Sequence, residues 1–240
     1  MAARYGDAMK ALILAGGKGT RLHPVTLETP KPLLTVRKKP ILNYLVELFL
    51  EQGIYDIGIS ISAEHKEDFH WWYRRWWRDY PFRFFEEIEP MGTWGALIGS
   101  AHFVRNEEFF VTNGDELKRV DLKAMRDFHR AHGAPATIAL VEHPEPKNYG
   151  VAVMDGQRIR EFVEKPEHPP TNLISSGLYL FTPEVFAYHD FSRPKFAMLE
   201  HDLFPKLAAE GKLHGFPYRG QWYDCGTFER WQKAIEEWNS

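Results

Sequence analysis

The sequence predicts an α/β protein with a Rossmann-like, three-layer α/β/α arrangement around a mixed, mostly parallel sheet. In the first half, apolar runs of strand length alternate with segments of helical periodicity, which is typical of a parallel sheet covered on both faces. In the second half, strand-like runs follow one another more closely, and one pair forms a hairpin turning at Asp155-Gly156. No proline- or serine-rich tether separates the halves, so we expect a single domain with a seam near residue 135.

Strand and helix signals alternate through the first half. The run 41–53 has apolar side chains at helical spacing, and Gly53 is its stop signal. Asp121 is a candidate N-cap and Gly133 a candidate terminator of the helix between them. The predicted strands are 9–15, 54–62, 82–88 and 107–115, and the predicted helices are 41–53, 64–77, 93–104 and 121–133.

The second half is richer in strands, and residues 1–8 before the first strand are predicted to be an unstructured extension. Its predicted strands are 136–143, the hairpin within 149–166, 173–181 and two short strands within 212–227, and its predicted helices lie near 183–189, 196–209 and 227–238.

Composition excludes several classes of protein. The net charge of −3 argues against a general nucleic-acid-binding surface, which would be basic. No apolar run approaches the roughly 20 residues of a membrane span, so we expect no membrane partner. Cys225 is the single cysteine, so no disulfide forms within the chain, which fits a cytoplasmic protein.

The stretch LAGGKGTRLHPVTLETPKPL (14–33) follows the first strand and predicts an anion site. Backbone N–H groups approach a phosphate where no Cβ intervenes, and Lys18, Arg21 and Lys31 add fixed positive charge. The spacing fits neither G-x-x-x-x-G-K-[ST] nor G-x-G-x-x-G, because Leu22 stands where the last glycine would be. The length and charge favour a flap over a triphosphate.

This stretch closely resembles the signature of the sugar-1-phosphate nucleotidyltransferases (nucleotide-sugar pyrophosphorylases), G-G-x-G-T-R-L-x-P-x-T followed by P-K-P. Further family landmarks recur in order along the chain, from about Met9 to the final helix: EPMGTWGAL (89–97), NGD (113–115), YGV (149–151), EKP (164–166), SSGLYLF (175–181) and WYDCGT (222–227).

The resemblance implies the nucleotide-diphospho-sugar transferase type of fold. It also implies one domain over 9–240, with a nucleotide-binding part (9–134) and a sugar-phosphate-binding part (135–240). A phosphate oxygen of a sugar 1-phosphate would attack the α-phosphorus of an NTP in line, releasing pyrophosphate. The nucleophile is already anionic, so the reaction needs positioning and charge neutralisation and no general base.

The resemblance also assigns roles to residues of this chain. Arg21 would bind the β- and γ-phosphates, Lys31 would reach the α-phosphate, and Asp115 and Asp224 would hold Mg²⁺, which favours oxygen ligands. Arg21, Lys31 and Asp115 are the implied catalytic residues. The implied nucleotide-binding residues are Leu14, Ala15, Gly16, Gly17, Gly19, Thr20, Glu87, Gly92 and Thr93. The implied sugar-phosphate-binding residues are Asn113, Tyr149, Gly150, Glu164, Lys165, Ser175 and Gly177.

The choice of substrate stays open at this point. A carboxylate at Glu87 can accept from two adjacent N–H groups, as guanine presents, which favours GTP with a mannose- or heptose-type sugar 1-phosphate. The same acid occurs in uridylyltransferases, so thymidylyl or uridylyl transfer to glucose 1-phosphate or an amino sugar is the alternative. Ser175 stands where many relatives carry an asparagine that contacts the sugar.

Three further expectations concern partners. A non-catalytic nucleotide-sugar sensing subunit is the rival to an enzyme, although Arg21, Lys31 and both aspartates are present. The aromatic and basic helix within 70–80 is expected to cover the core or to contact another subunit, so a homodimer is possible. The chain length predicts a stand-alone pyrophosphorylase without an appended acyltransferase domain.

Overall fold

The computed structural model describes residues 9–190 and 196–239. The predicted extension at 1–8 therefore lies outside the described residues. Within them, the strands are β1 (Lys10–Leu14), β2 (Thr35–Val36), β3 (Lys39–Pro40), β4 (Asp56–Ser62), β5 (Arg83–Glu87), β6 (Phe109–Asn113), β7 (Glu116–Lys118), β8 (Ala136–Glu142), β9 (Gly150–Asp155), β10 (Arg158–Glu164), β11 (Leu173–Phe181), β12 (Leu213–Pro217) and β13 (Trp222–Asp224). The α-helices are α1 (Ile41–Glu51), α2 (Lys66–Trp76), α3 (Gly92–Gly99), α4 (Ala101–Val104), α5 (Leu122–His132), α6 (Phe204–Ala209) and α7 (Phe228–Glu237).

The central sheet has the strand order β5-β4-β1-β6-β11-β8-β12-β10-β9. Neighbouring strands run parallel from β5 to β6 and again between β8 and β12. Strand β11 enters between β6 and β8 and is antiparallel to both, and the β9–β10 hairpin adds further antiparallel pairs. The predicted mixed α/β fold is confirmed. Four neighbouring pairs of this sheet are parallel and four antiparallel, so the expectation of a mostly parallel sheet holds only for the strands β5 to β6.

Two apolar cores lie on the two faces of this sheet. One packs α1, α2 and α5 against β1 and β4, and the other packs α3, α4 and α6 against β6, β8 and β11. Alternate side chains of one strand serve both cores: Ile13 lies in the first and Leu12 in the second. The sheet is therefore covered on both sides. The helices cover the two faces of the sheet and leave the ends of its strands uncovered.

Helix α5 begins and ends as its sequence predicts. The Asp121 carboxylate accepts a hydrogen bond from the Ala124 N–H at 2.8 Å, which caps the first turn. Gly133 terminates the helix with φ of 63°, a conformation that favours glycine. At α7 the N-cap is Thr227, whose hydroxyl accepts from the Arg230 N–H at 3.3 Å. Asp224 is thus not used as a helix cap.

Three predicted helices differ from the observed elements. The helix expected over 93–104 is interrupted at Ser100, whose hydroxyl bonds back to the Ala96 carbonyl at 3.0 Å. The segment near 183–189 forms a 3-10 helix, Pro183–Tyr188. The helix expected from 196 starts with a π-helical turn, Leu199–Leu203, directly before Pro205, which lacks an N–H for the regular ladder.

Two tryptophans of the aromatic segment cover the core, one within helix α2 and one directly after it. Trp72 and Trp77 are buried and both direct their indole N–H toward Asn43 Oδ1, at 2.6 and 3.4 Å. Trp76, which the helical periodicity places on the face of Trp72, is instead 42% exposed, and Trp71 is 61% exposed. Among the described residues, no helix is long and apolar enough to cross a membrane.

Candidate active site

The parallel strands β1, β4 and β6 end at the same edge of the sheet and open into a cavity of about 470 Å³. Ligands bind at such carboxyl ends in open α/β sheets. Every residue that the sequence predicts for the site lines this one cavity: Leu14, Ala15, Gly16, Gly17, Gly19, Thr20, Arg21, Lys31, Glu87, Gly92, Thr93, Asn113, Asp115, Tyr149, Gly150, Glu164, Lys165, Ser175, Gly177 and Asp224. The structure brings the set together, and the individual roles stay predictions.

We call the part of the cavity formed by residues 14–21, Glu87 and 91–93 the glycine-loop end. There the Glu87 carboxylate accepts from the Ser60 hydroxyl at 2.7 Å and from the Met91 N–H at 3.3 Å. A Cβ on Gly16 would lie 2.5 Å from Glu87 Oε1, so only glycine fits against this carboxylate. Glu87 is thus held at the base of the loop, next to exposed backbone.

The loop itself is shaped by short 3-10 turns. Gly19 adopts φ of 61°, and its carbonyl accepts from the Thr26 hydroxyl at 2.8 Å. A further 3-10 turn, Lys31–Leu33, delivers the Lys31 side chain into the cavity. A Cβ on Gly226 would lie 3.1 Å from Arg21 Nη2, which places the Arg21 guanidinium beside the loop that follows β13. The cations that the sequence predicts in the loop 14–33 therefore line the same cavity.

Thr93 is engaged within the protein. Its hydroxyl donates to Glu200 Oε2 at 2.7 Å and accepts from the Leu199 N–H at 2.8 Å. These bonds join the start of α3 to the π-helical turn. Burial raises the pKa of Glu200, a cavity residue that the sequence analysis does not single out.

A charged cluster lines the cavity. Lys31 Nζ donates to the Asp115 carboxylate and lies 3.7 Å from Asp224 Oδ1. Asp224 Oδ2 also accepts from Arg230 Nη1 at 2.6 Å and from the Tyr149 hydroxyl at 3.4 Å. Burial alone would lower the pKa of Lys31, but the two carboxylates outweigh it and raise the pKa above its ordinary value. Lys31 is therefore a fixed cation.

The two aspartates fit the requirements of a divalent metal. One ammonium group faces both carboxylates, so the two side chains can address a single cation. Among residues 9–190 and 196–239, no three or more His, Cys, Asp or Glu side chains form a metal-binding group. A pair of carboxylates suits Mg²⁺, which keeps waters and phosphate oxygens as its other ligands.

We call the opposite part of the cavity the carboxylate end; it is formed by 113–116, 149–150, 164–165 and 175–177. Glu164 pairs with Lys165 at 2.9 Å, and the Lys165 N–H donates to the Tyr149 carbonyl at 3.0 Å. Ser175 Oγ accepts from the Gly177 N–H at 3.2 Å. Its hydroxyl is therefore partly engaged by the strand that carries it.

The sequence does not predict that Glu116, Lys118 and Arg230 lie in or next to the cavity. Glu116 lines the cavity, and its carboxylate accepts from Lys118 Nζ at 3.2 Å and from Trp222 Nε1 at 2.8 Å. Burial raises the pKa of Glu116 to about 7 and lowers the pKa of Lys118. The sequence does show two charges, Glu116 and Lys118, directly after NGD. Their place at the cavity depends on the pairing of β7 with β13.

Comparison with solved structures defines the class of fold. A protein from Bacillus anthracis described as a glucose-1-phosphate thymidylyltransferase matches with a TM-score of 0.88 at 28% identity, over 97% of each chain. HddC from Yersinia pseudotuberculosis, solved with GMP-PN, matches with a TM-score of 0.81 at 28% identity, over 96% of this chain and 100% of that one. The fold is that of the nucleotide-diphospho-sugar transferases.

Sequence comparison then gives the family. The model of the nucleotidyl transferase family matches residues 10–240, and the chain belongs to this family. It is 36% identical over 225 residues to the mannose-1-phosphate guanyltransferase of Saccharomyces cerevisiae, and 35% identical over 229 residues to mannose-1-phosphate guanylyltransferase 1 of Arabidopsis thaliana. Each match covers 91% of this chain and 61% of the relative, so the chain spans less than two thirds of these relatives' length.

Proposed function

We propose that the protein transfers a nucleotidyl group from an NTP to a sugar 1-phosphate, with GTP and mannose 1-phosphate as its substrates. The observation that carries this proposal is the charged cluster of Lys31, Asp115 and Asp224 in the same cavity as the glycine-loop end and the carboxylate end. Two anionic substrates that meet there would have their mutual repulsion offset by fixed cations. We therefore expect the transferred phosphorus to lie next to this cluster.

The residues in the cavity fit an in-line displacement. An anionic oxygen of the sugar phosphate forms a bond to the α-phosphorus, the bond from that phosphorus to the bridging oxygen of the β-phosphate breaks, and pyrophosphate leaves with the electron pair. Lys31 would neutralise charge at the α-phosphate, and Arg21 would hold the departing pyrophosphate. No proton has to be removed from the nucleophile, and the cavity accordingly needs no catalytic base.

Members of the family generally use a divalent metal. We infer that Mg²⁺ is held here by Asp115 and Asp224. When bound, the ion supplies positive charge to the phosphate oxygens. In its absence Lys31 is the cation next to the two carboxylates.

The choice of GTP rests on the glycine-loop end. The Glu87 carboxylate is held by Ser60 and Met91 in the wall of the cavity, and there it would accept from the edge of the base. Guanine offers two adjacent N–H donors to such a carboxylate. The identity to mannose-1-phosphate guanyltransferases supports both substrates, and the similarity to HddC with GMP-PN supports a guanine nucleotide.

A second candidate is thymidylyl transfer to glucose 1-phosphate, which the TM-score of 0.88 to the Bacillus anthracis protein favours. One assay separates the candidates: pyrophosphate release with Mg²⁺ over GTP, dTTP, UTP, CTP and ATP, each combined with mannose 1-phosphate and glucose 1-phosphate. We expect GTP with mannose 1-phosphate to give the highest kcat/KM. A preference for dTTP with glucose 1-phosphate would establish the second candidate.

The same assay tests the rival view of a non-catalytic nucleotide-sugar sensor. A sensor would bind GTP and release no pyrophosphate with any pair. Glu87→Gln supplies the check on base choice, because an amide presents one acceptor and one donor instead of two acceptors. We expect this variant to lose about 10- to 100-fold in kcat/KM for GTP and to keep its KM for the sugar phosphate. An unchanged preference for GTP would remove Glu87 from base recognition.

A further inference from the structure

Glu116 is a charged side chain at the carboxylate end for which the proposed reaction gives no role. It begins β7, directly after Asp115, and lines the cavity with about 10% of its side chain exposed. A carboxylate in so enclosed a position is costly unless its oxygens are satisfied. The partners of its two oxygens therefore indicate what the group does.

Oxygen Oε2 is held by the protein. It accepts from Trp222 Nε1 at 2.8 Å and from Lys118 Nζ at 3.2 Å. Lys118 is fully buried and is itself fixed by Thr112 Oγ1 at 2.9 Å and by the carbonyls of Ser176 at 2.7 Å and Gly177 at 3.1 Å. A buried lysine with four oxygen partners sets the position of the carboxylate, so Lys118 is a positioning residue.

Oxygen Oε1 faces the cavity wall at Gly177. It accepts from Asn113 Nδ2 at 3.2 Å, and a carboxylate oxygen has room for a second donor. Gly177 has φ of 60°, and a Cβ there would overlap both Glu116 Oε1 and Asn113 Nδ2. The Glu116 and Asn113 side chains thus occupy the space where a Cβ would lie, and Glu116 forms part of the cavity wall. Oε1 is therefore in a position to accept a hydrogen bond from a ligand.

We propose that Glu116 accepts a hydrogen bond from a hydroxyl group of the sugar and thereby determines which sugar 1-phosphate is bound. This inference rests on the proposed function. Glu164 lines the same end with its side chain 11% exposed, so two carboxylates face a ligand rich in O–H donors. Lys165 pairs with Glu164, and Lys31 with Asp115 and Asp224, so the phosphate would have to compete with these carboxylates for the two ammonium groups.

The test is equilibrium binding without an NTP, so that it does not depend on turnover. Mannose 1-phosphate, glucose 1-phosphate and their monodeoxy analogues are titrated into the wild-type protein and into Glu116→Gln by calorimetry. Lys118 and Trp222 are both donors, so they fix the amide oxygen in the place of Oε2 and put the –NH₂ in the place of Oε1, where the Asn113 amide must turn its oxygen toward it. The substitution thus replaces an acceptor by a donor at the sugar.

We expect Glu116→Gln to bind the preferred sugar 1-phosphate about 10- to 100-fold more weakly, as for loss of a hydrogen bond to a charged group. We also expect wild-type protein to discriminate against one deoxy position, and the variant to lose that discrimination. GTP binding should be unchanged in the variant. Glu161→Gln, an exposed glutamate of β10 outside the cavity, is the matched control and should bind like the wild type.

The double variant Glu116→Gln/Lys118→Met covers the case in which the single variant does not fold, because it removes both members of the buried ion pair. Wild-type affinity in whichever variant folds, or equal weakening for every deoxy analogue, would overturn the inference. So would a wild-type protein that binds neither sugar 1-phosphate. Sugar binding that depends on Glu116 without any pyrophosphate release would instead contradict only the proposed function.

Discussion

At the glycine-loop end of the cavity, Gly16 lies against the Glu87 carboxylate and contributes backbone alone. At the carboxylate end, Glu116 is held by the buried Lys118 and by Trp222, side chains that come from different strands. A backbone surface by itself accepts any nucleotide that fits its shape, so the proposed choice of base at this end rests on the Glu87 carboxylate. A surface of positioned side chains can select among hydroxyl configurations. We therefore expect binding of the nucleotide to depend on space, and binding of the sugar to depend on hydrogen-bond partners.

The two ends meet at Asp224, and removing its charge is expected to have the largest effect. Asp224 contacts Lys31, Arg230 and the Tyr149 hydroxyl. Asp224→Asn keeps the shape of the side chain but removes the counter-charge of Arg230 and one of the two carboxylates beside Lys31. We expect kcat to fall by about 10²- to 10³-fold and the required Mg²⁺ concentration to rise. Pyrophosphate release measured across a Mg²⁺ titration checks this.

Asp127→Asn is the control for the aspartate substitution. Asp127 lies on α5 with its side chain 60% exposed and pairs only with Lys123 among the ion pairs within residues 9–190 and 196–239. It should keep wild-type turnover. If Asp224→Asn also kept wild-type turnover at saturating Mg²⁺, Asp224 would not be a metal ligand, and it would not connect the two ends of the cavity.

The second prediction concerns space at the glycine-loop end. In Gly16→Ala the new Cβ would lie 2.5 Å from Glu87 Oε1, so the carboxylate must leave its bonds to Ser60 and Met91. We expect GTP to bind about 100-fold more weakly while the affinity for the sugar 1-phosphate is unchanged. Calorimetric titration with each substrate alone measures the two affinities.

Gly17→Ala provides the comparison for this glycine, because a Cβ there meets no protein atom within 4 Å. The free energy of unfolding should be unaffected by Gly17→Ala and lowered by Gly16→Ala, in the absence of any ligand. Weaker sugar binding in Gly16→Ala would show that the two ends of the cavity do not bind their ligands independently.

The same difference explains what the sequence could predict. The glycine loop is a contiguous motif whose residue types follow from close approach of a backbone, so its position at the end of β1 is readable without a structure. The alternation of strands and helices in the first half likewise predicts a parallel sheet. Strand β11 was predicted as a strand, but its insertion between β6 and β8 depends on pairing across 66 to 72 residues with β6 and 31 to 45 residues with β8, which no local pattern encodes.

The carboxylate end was predictable only in part for the same reason. Glu164 and Lys165 belong to a motif, whereas Glu116 acquires its partners through the pairing of β7 with β13. Glu200 reaches the cavity from a π-helical turn, where the sequence predicts a regular helix. Arg230 appears in sequence as one charge on an amphipathic helix, and its contact with Asp224 depends on how α7 follows β13.

The stability of the fold also depends on pH, through the buried side chain of His129. His129 lies on α5 with Nδ1 2.8 Å from Thr137 Oγ1, and Glu108, Arg130 and His214 are the charged or titratable groups around it. Burial lowers its pKa from 6.5 to about 4. The unfolded chain therefore binds this proton near pH 6.5 and the folded chain does not, so stability is lost as pH falls from 6.5 toward 4.

For this one group the shift corresponds to about 2 kcal/mol of unfolding free energy lost between pH 7 and pH 5. His129→Leu should remove that part of the loss, as measured by urea unfolding at the two pH values. His168→Leu, at an exposed position, should keep it. If His129→Leu loses as much stability as the wild type, the acid sensitivity belongs to other groups, and the carboxylates of the cavity become the first to examine.

We expect the weakest effect from the loss of one hydrogen bond, the one that the Trp222 indole donates to Glu116. Trp222→Phe removes the indole N–H that donates to Glu116 Oε2 at 2.8 Å but keeps an aromatic ring against His143 and Tyr149. Lys118 still holds the carboxylate, so we expect sugar 1-phosphate binding to weaken by only about fivefold, close to 1 kcal/mol, with GTP binding unchanged.

Trp231→Phe is the matched control, since its indole N–H donates to the Thr35 carbonyl at 3.0 Å, on the side of β2. It should lose stability without losing affinity for either substrate. Equal weakening of GTP and sugar binding in Trp222→Phe would mean that the indole supports the whole cavity. Selective weakening of sugar binding would show that the carboxylate end depends on the donors behind it, as the glycine-loop end depends on the space beside its backbone.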